Sequence, residues 1–495
     1  MRRLLVLLAF APLSVAFASA ASCSGDTPSV PKDAQPEAKP DTGPPPPPPP
    51  GCDAGLDMCK GACIDLQGSD VNNCGACGKV CAMGATCTAG RCSNEPGDVA
   101  AGGTASYVVI LDGSLYAWGG NAAGQLAEDP NNAFISQCAN VVCRYQPVPI
   151  QMFTKATRVA AGWDHACAID DGKVWCWGSN DEGQLGHDPT GDPTCGGGDA
   201  GPGVKCKPTP TEVTLPAGKA VDVAAGKGFT CVRNDAKDVY CWGTKTNGVT
   251  GRAGSGFDAT PNKLTFPASD VEEIAVAGGT QPTHGCARRT NGDVWCWGKN
   301  DVGQLGQASP AVSATPVQAQ SVAQAQRLVL AENVSCTFRA NGTSICWGSH
   351  ARGGLGTAKP VDTAVHAVPE SVNMRWGITA KLFAGGGTVW AFDSVENAYV
   401  WGANPFGTFG DQTITGGSCG NDVCDPNTKA APQINGYRAL SGSNHVLGIS
   451  KGGKLFTWGQ NKYGQLGKEP GNQLDQTCAQ NTYCNPVPTI VLGLP

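Results

Sequence analysis

The stretch RVAAGWDHACAIDDGKVWCWGSNDEGQLG, residues 158–186, decides how this chain folds. It contains two short apolar runs, a tight Asp-Gly turn, a third run that ends in Trp177-Gly178, and a Gly-rich corner. Apolar runs of period two that are separated by Asp-Gly, Asn-Gly or Gly-Gly predict β-hairpins. The stretch therefore predicts three antiparallel strands and a corner, which together make most of one supersecondary unit.

The same unit recurs seven times along the chain. A Trp-Gly pair ends the third strand of each copy, and successive pairs lie 50 to 65 residues apart. The seven tryptophans are Trp118, Trp177, Trp242, Trp297, Trp347, Trp401 and Trp458. Repeats of this length that each predict a small antiparallel sheet indicate a β-propeller. We therefore predict an all-β fold with seven blades over residues 97–495.

The shared pattern VAAG…H-x-CAI…DG-x-V-W-CWG-x-N…GQLG resembles the regulator of chromosome condensation repeat, a family of seven-bladed β-propellers. The resemblance covers residues 98–495 and points to an exported bacterial type. The residues after Trp458 and those of copy one before Trp118 together make about one repeat length. This sum predicts that residues 485–494 supply the missing strand of the first blade, so that the closed ring has no exposed sheet edge.

The N-terminus predicts export. Residues 1–22 have a basic start, an apolar segment at Leu4–Phe17 and small residues before Cys23, which is typical of a signal peptide. The apolar segment is too short for a membrane span. Residues 20–23 (AASC) resemble a bacterial lipobox, whose cysteine is acylated and becomes the mature N-terminus. We therefore expect a lipoprotein anchored through Cys23, with the outer membrane favoured because Ser24 follows; plain secretion is the alternative.

Two further segments precede the repeats. Residues 23–51 are rich in Pro, Asp, Ala and Lys and include Pro44–Pro50, which predicts a disordered linker with a polyproline II spacer of roughly 20 Å. Residues 52–92 form a module with eight cysteines and little apolar content. Four disulfides of open connectivity are expected there, with zinc at Cys74 and Cys77 as the alternative. The pattern NNCGACGKVC…TCTAGRC resembles the stigma-specific cysteine-rich family.

The sixteen remaining cysteines predict two sets of disulfides. The first set faces across hairpins: Cys167 with Cys176, Cys231 with Cys241, Cys286 with Cys296, and Cys336 with Cys346. The second set lies in loops after the Gly-rich corner of copies one, two, six and seven: Cys138 with Cys143, Cys195 with Cys206, Cys419 with Cys424, and Cys478 with Cys484. Copies six, seven, one and two are consecutive around a closed ring. We therefore expect four stapled loops in one sector of one rim, either pre-ordered for binding or protected from proteases.

Charge and motifs argue against several classes of function. A net charge of −6 without clustered Lys and Arg argues against nucleic-acid binding. His165, His284 and His445 recur at one place and could form a metal ring, but the other four copies lack the histidine, so core packing or a backbone hydrogen bond is favoured. Asp170 partly matches the Asp-box of sialidase-type propellers, and a hairpin turn accounts for the match. We predict no catalysis, no metal and no cofactor.

These observations predict a cell-surface lipoprotein whose propeller binds a protein partner on the rim formed by the loops of copies six, seven, one and two. Contact with the membrane is expected through the lipid alone. The family resemblance implies an alternative, an extracytoplasmic enzyme inhibitor similar to β-lactamase inhibitor protein II. Guanine-nucleotide exchange, which the resemblance implies only through the activity of the family's eukaryotic namesake, is less favoured because export separates the chain from GTPases.

Overall fold

The computed structural model describes residues 52, 55–60, 62–131, 136–196, 203–374, 379–414, 416–419, 422–478 and 482–495. The predicted signal peptide (1–22), the acylation site Cys23 and the Pro-rich linker (23–51) lie outside the described residues. The chain divides into two units, Met1–Gly51 and Cys52–Pro495. No described helix is long and apolar enough to cross a membrane.

Seven antiparallel four-stranded units form the blades, which confirms the predicted all-β propeller. Blades 6 and 7 are joined in one sheet by a parallel pairing of Gly385 with Gly442. We label the strands of each blade A to D from the central channel outward. Strands A are Pro96–Ala101, Ala156–Ala161, Ala220–Gly226, Val271–Val276, Ala325–Ala331, Thr379–Gly385 and Tyr437–Gly442. Strands B are Ala105–Ile110, His165–Asp170, Phe229–Asn234, His284–Arg289, Val334–Arg339, Thr388–Asp393 and His445–Ser450.

The outer half of each blade follows the Asp-Gly, Asn-Gly or equivalent turn. Strands C are Leu115–Gly120, Lys173–Ser179, Val239–Thr244, Val294–Lys299, Ser344–Gly348, Ala398–Ala403 and Leu455–Gln460. Strands D are Val141–Pro149, Val204–Val213, Phe257–Lys263, Val312–Gln318, Glu370–Ser371, Asp422–Ala430 and Tyr483–Ile490. Three short 3₁₀ helices, Pro189–Gly191, Thr246–Gly248 and Pro432–Ile434, lie in the described loops. Each repeat thus builds one complete blade.

The C-terminal strand does not join the first blade, and this part of the prediction was wrong. Strand Tyr483–Ile490 pairs with strand C of its own blade 7. Blade 1 takes its fourth strand, Val141–Pro149, from its own repeat. The length argument failed because blade 7 needs the residues after Trp458 for a long loop and its own strand D.

Contacts between neighbouring blades close the ring. The seven strands A contact one another in cyclic order around the channel, including those of blades 7 and 1. Trp118 of blade 1 packs in one buried cluster with Leu447 and Ile449 of blade 7 and with Val491 from the C-terminal segment. Side-chain packing at this interface, which we call the closing seam, therefore replaces the expected exchange of a strand.

The Trp-Gly tryptophans join each blade to the one before it. All seven indoles are fully buried. Each indole Nε1–H donates a hydrogen bond of 2.8–3.0 Å to a backbone carbonyl in the Gly-rich corner of the preceding blade. At the closing seam the pair is Trp118 and Gln465. Each of these interfaces therefore combines a large apolar side chain with a satisfied buried donor.

The glycine after each tryptophan has a conformational cause. All seven adopt φ between +93° and +109°. In six of the blades the pairing of strands C and D shifts register at this residue, for example between Cys176 and Gly178. Residues with a Cβ rarely adopt that backbone region, so the strand can bulge there only at glycine.

The cysteine-rich module, which we call the knob, comprises residues 52–92. Two short hairpins form it, Asp57–Cys59 with Ala62–Ile64 and Cys87–Thr88 with Arg91–Cys92. Its four disulfides are Cys52–Cys63, Cys59–Cys77, Cys74–Cys87 and Cys81–Cys92. Cysteines also form the buried centre of the knob. The sulfurs of Cys74, Cys81 and Cys92 lie within 4.8 Å of one another, yet all three are in disulfides and offer no thiolate to zinc.

Candidate functional site

The antiparallel order of the strands gives the propeller two distinct faces. The A–B and C–D loops emerge on one face, which we call the stapled face, and the B–C and D–A loops emerge on the other. The knob contacts the second face, because Arg91 donates to the carbonyl of Pro96 at the start of the first strand A, at 2.8 Å. The knob and the C–D loops therefore lie on opposite sides of the ring.

Four C–D loops carry an additional short strand and a disulfide. The additional strands, Ser136–Cys138, Thr194–Cys195, Gly417–Cys419 and Gln476–Thr477, pair with strands D of blades 1, 2, 6 and 7. The disulfides are Cys138–Cys143, Cys195–Cys206, Cys419–Cys424 and Cys478–Cys484, with Cα separations of 5.8–5.9 Å. These blades are neighbours in the ring, so the stapled loops form a contiguous sector, which we call the stapled sector.

The hairpin cysteines lie inside the blades. Cys167–Cys176, Cys231–Cys241, Cys286–Cys296 and Cys336–Cys346 are disulfides between directly opposed residues of strands B and C, with Cα separations of 4.0–4.2 Å. They are buried, and the first of them packs against Trp242 of the next blade. They belong to the scaffold and not to an exposed surface.

A repeated asparagine shapes the C–D loops. Asn121, Asn180 and Asn461 each accept a hydrogen bond from the backbone N–H of the corner leucine, at 2.9–3.2 Å. Their Nδ2 groups donate to carbonyls farther along the same loop. The loop base is therefore fixed from inside, and the disulfide holds the loop against strand D.

A groove separates the stapled loops of blades 7 and 1. It encloses a cavity of about 420 Å³, lined by Tyr145, Tyr483, Lys462, Glu469 and Gln137. The Tyr483 side chain is 49% exposed, and the Lys462 ammonium lies 5.0 Å from the ring of Tyr463 beside the groove. Tyrosines that remain exposed between rigid loops are typical of protein-recognition surfaces, because they offer large contact area at a low entropy cost.

The three recurring histidines are structural links between blades. Each Nε2 contacts a hydroxyl of the next blade: His165 with Thr230 at 3.0 Å, His284 with Ser335 at 2.8 Å, and His445 with Ser106 at 2.7 Å. The hydroxyls donate in turn to corner carbonyls. Burial lowers the pKa of each histidine to about 3, so the rings are neutral at physiological pH. The three side chains lie at three separate interfaces and do not converge.

The candidate catalytic carboxylate also has a structural role. The Asp170 carboxylate accepts the backbone N–H of Lys155 at 2.7 Å and so ties its hairpin to the preceding D–A loop. The spacing G-x-S-x-G occurs twice, around Ser418 and around Ser450. Ser450 ends strand B of blade 7 and is followed by the strand Leu455–Gln460. Ser418 lies on a short exposed strand followed by the strand Asp422–Ala430, where the hydrolase motif has a helix.

A ring of charged residues was missed from the sequence. The third residue of strand A is charged in blades 1–6, and in blade 7 the charge is one residue earlier: Asp98, Arg158, Asp222, Glu273, Arg327, Lys381 and Arg438. They surround the channel opening on the knob face, a cavity of about 760 Å³. The signal for this ring in the sequence is a charge at one position in six copies, with Arg438 one residue earlier in the seventh.

These charges connect neighbouring blades. The Asp98 carboxylate accepts the N–H of Val159 at 3.0 Å, and the Glu273 carboxylate accepts that of Leu328 at 3.1 Å. The Arg438 guanidinium donates to the carbonyl of Pro96 at 2.6 Å. Burial raises the pKa of Asp222 to about 6, against the lowering effect of nearby arginines. The ring therefore joins strands A to one another.

Known proteins share this architecture. Models of the "Regulator of chromosome condensation (RCC1) repeat" match residues 112–169 and 171–233, and also 156–184, 282–304 and 441–465. The Ultraviolet-B receptor UVR8 of Arabidopsis thaliana is 28% identical over 339 residues, which is 67% of this chain and 69% of the receptor.

Solved structures agree in fold. Yeast RCC1 (Prp20), bound to Kap60, superposes with a TM-score of 0.61 at 19% identity, covering 77% of this chain and 84% of that one. Human WBSCR16 superposes with a TM-score of 0.60 at 19% identity, covering 78% of this chain and 96% of that one.

Proposed function

This chain belongs to the family of regulator of chromosome condensation repeats, and from that premise we propose that its propeller is a protein-binding scaffold at the cell surface that uses the stapled sector. The single observation that carries the proposal is the tyrosine-lined groove between two disulfide-stapled loops. Loops ordered before binding lose less entropy in the complex. The yeast relative bound to Kap60 is one member that holds a protein partner. In this proposal the chain performs no catalysis.

We expect Tyr483→Ala to weaken binding of the partner at least about tenfold, because tyrosines at the centre of an interface contribute a large share of its affinity. Proximity labelling on the native cell surface would identify the partner, and the purified pair would then give the Kd. Val312→Ala is the matched control, since Val312 is also exposed at the start of a strand D but lies in unstapled blade 4.

The proposal fails if wild type, Tyr483→Ala and Val312→Ala label the same proteins and bind them equally. A third outcome is that Tyr483→Ala binds normally but removal of the Cys138–Cys143 or Cys478–Cys484 loop abolishes binding. The partner would then bind the stapled sector outside the groove. A labelled enzyme whose activity falls on binding would identify this scaffold as an extracytoplasmic inhibitor.

The anchor is the second part of the proposal, and cysteine pairing supports it. The 24 described cysteines form twelve disulfides with one another, and Cys23 is the odd one of the 25 in the sequence. Disulfides at this density are typical of an oxidising compartment. Acylation at Cys23 would hold the chain at the outer membrane, and the propeller would present its stapled face away from the knob.

We expect the native chain to incorporate palmitate, and Cys23→Ala to lose all of the label, because acylation needs the thiol. Globomycin should block processing of the wild type. Ser24→Ala is the control and should be labelled normally. If Cys23→Ala still incorporates palmitate, or if the wild type does not, the lipid anchor is contradicted and a secreted protein is favoured.

A further inference from the structure

One half-buried indole on the stapled face takes no part in the repeat. Trp163 lies in the A–B loop of blade 2. The A–B loops of the other blades carry no aromatic residue, as their sequences GGT (102–104), KG (227–228), AGGTQPT (277–283), EN (332–333), GG (386–387) and SN (443–444) show. The ring borders the opening of the central channel. It is therefore an aromatic surface that the fold itself does not require.

Neighbouring blades fix the orientation of this ring. A Cβ on Gly103 of blade 1 would lie 2.7 Å from the indole, so the ring packs directly on bare backbone. The ammonium of Lys227, from blade 3, lies 5.9 Å from the ring centroid and 3.6 Å from the Asp164 carboxylate. Trp163 is thus held in place before any ligand arrives.

The ring forms one wall of a cavity of about 660 Å³ at the channel mouth. Thr280, Ser443 and Asn444 contribute uncharged hydrogen-bonding groups to its lining. The charged residues Glu332 and Arg352 also line it, and they neutralise each other at 3.5 Å. Gly386 and Gly387 have no side chains, which leaves the mouth of the cavity wider. The volume falls in the usual range for a small-molecule site.

We propose that this mouth binds a neutral saccharide, with one sugar face stacked on Trp163. A pyranose presents an apolar C–H face and an equatorial belt of hydroxyls, which matches an indole wall beside hydroxyl, amide and paired-ion groups. The charges beside the ring are already paired, Lys227 with Asp164 and Glu332 with Arg352, so a charged ligand would have to compete with these ion pairs. A purely apolar ligand would leave the polar lining without hydrogen bonds.

The test uses the full chain and three probes: cellobiose, maltose and N,N′-diacetylchitobiose, titrated by calorimetry and by saturation-transfer NMR. We expect at least one to bind with a Kd of about 1 mM or tighter, and Trp163→Ala to weaken that Kd at least about tenfold. Trp295→Ala removes a half-buried indole elsewhere in the ring of blades and should bind like wild type. An unchanged melting temperature in Trp163→Ala would show that the fold is intact.

The inference is overturned if none of the three probes binds, or if Trp163→Ala binds as wild type does. Equal losses in Trp163→Ala and Trp295→Ala would also overturn it, because stacking would then be nonspecific. Tyr483→Ala should keep full saccharide affinity, since Tyr483 lies in the groove between the loops of blades 7 and 1. The two proposals can therefore fail independently: loss of protein binding would not affect saccharide binding, and absence of saccharide binding would not affect protein binding.

Discussion

Trp118→Ala should lower the free energy of unfolding by about 3–5 kcal/mol, the usual cost of truncating a fully buried aromatic side chain. Trp118 fills the closing seam together with Leu447, Ile449 and Val491. The substitution would leave a cavity there and would also remove the donor to the Gln465 carbonyl. Because no exchanged strand ties blade 7 to blade 1, the seam depends on this packing.

Chemical denaturation with disulfides intact, followed by circular dichroism, measures the effect. Trp118→Phe separates the two contributions, since it keeps most of the ring and removes only the indole donor. The Ser106 hydroxyl still donates to the Gln465 carbonyl, so the expected cost is that of one hydrogen bond, about 0.5–1.5 kcal/mol. Trp295→Ala is the control for loss of an indole that is only half buried. Equal destabilisation by Trp118→Ala and Trp295→Ala would show that the closing seam has no special role.

The blades could be predicted from the sequence because the residues that define them act locally. The hairpin turn, the alternation of strands B and C, and the cysteine pairs are all set within about twenty residues of each Trp-Gly pair. The cyclic order of the copies around a closed ring was then enough to predict that the stapled loops of blades 6, 7, 1 and 2 lie in one sector. Its groove could not be predicted, since Tyr145 and Tyr483 are far apart in sequence and meet only where blades 7 and 1 adjoin.

Interactions between copies were the part that the sequence analysis missed. His165, His284 and His445 occupy one position in three copies, and each pairs with a hydroxyl in the following copy. The blades that follow a copy without this histidine carry an apolar or small residue at the hydroxyl position: Ala166, Gly285, Val389 and Val446. Comparing each copy with its successor, in place of aligning all copies as equivalents, would have revealed the rule.

The prediction that the C-terminal strand joins blade 1 was wrong for a related reason. The sum of leftover residues at the two ends equalled one repeat, but it took no account of the long loop before each strand D in the stapled sector. Blade 7 uses its last residues for that loop and for Tyr483–Ile490. Repeat length alone cannot distinguish a shared blade from two complete ones, because loop insertions change the count as much as a strand does.

Glu95→Gln should release the knob from the propeller, because Glu95 is the charge at which the two meet. Its buried carboxylate lies 2.6 Å from the Lys79 ammonium, 3.7 Å from the Arg91 guanidinium and 3.4 Å from that of Arg438 in blade 7. Removing one partner of a buried ion cluster costs about 3–5 kcal/mol, since the remaining charges stay desolvated. The chain at residues 52–95 should then exchange its amide hydrogens at least about tenfold faster.

The same contact should weaken in acid. Burial alone would raise the pKa of Glu95, but the hydrogen bonds from Lys79 and the Cys92 N–H, with the charges of Lys79 and Arg438, hold it below its ordinary value of 4.5. A carboxyl group with a lowered pKa stabilises the docked state above that ordinary value, and this contribution is lost as the pH falls through the lowered pKa. Hydrogen exchange of the knob should therefore accelerate below about pH 4.5 in the wild type.

Glu95→Gln should abolish that acid step, since it leaves no carboxyl group to protonate at the junction. Glu128→Gln is the control, because Glu128 pairs with Arg144 inside blade 1 and touches no knob residue. Unchanged exchange of the knob in Glu95→Gln would mean that Arg91 and the Asn94–Pro495 contact suffice for docking. The docked knob lies on the face opposite the stapled loops. If Cys23 anchors the chain as proposed, release of the knob should also reduce capture of a surface partner without changing the Kd in solution.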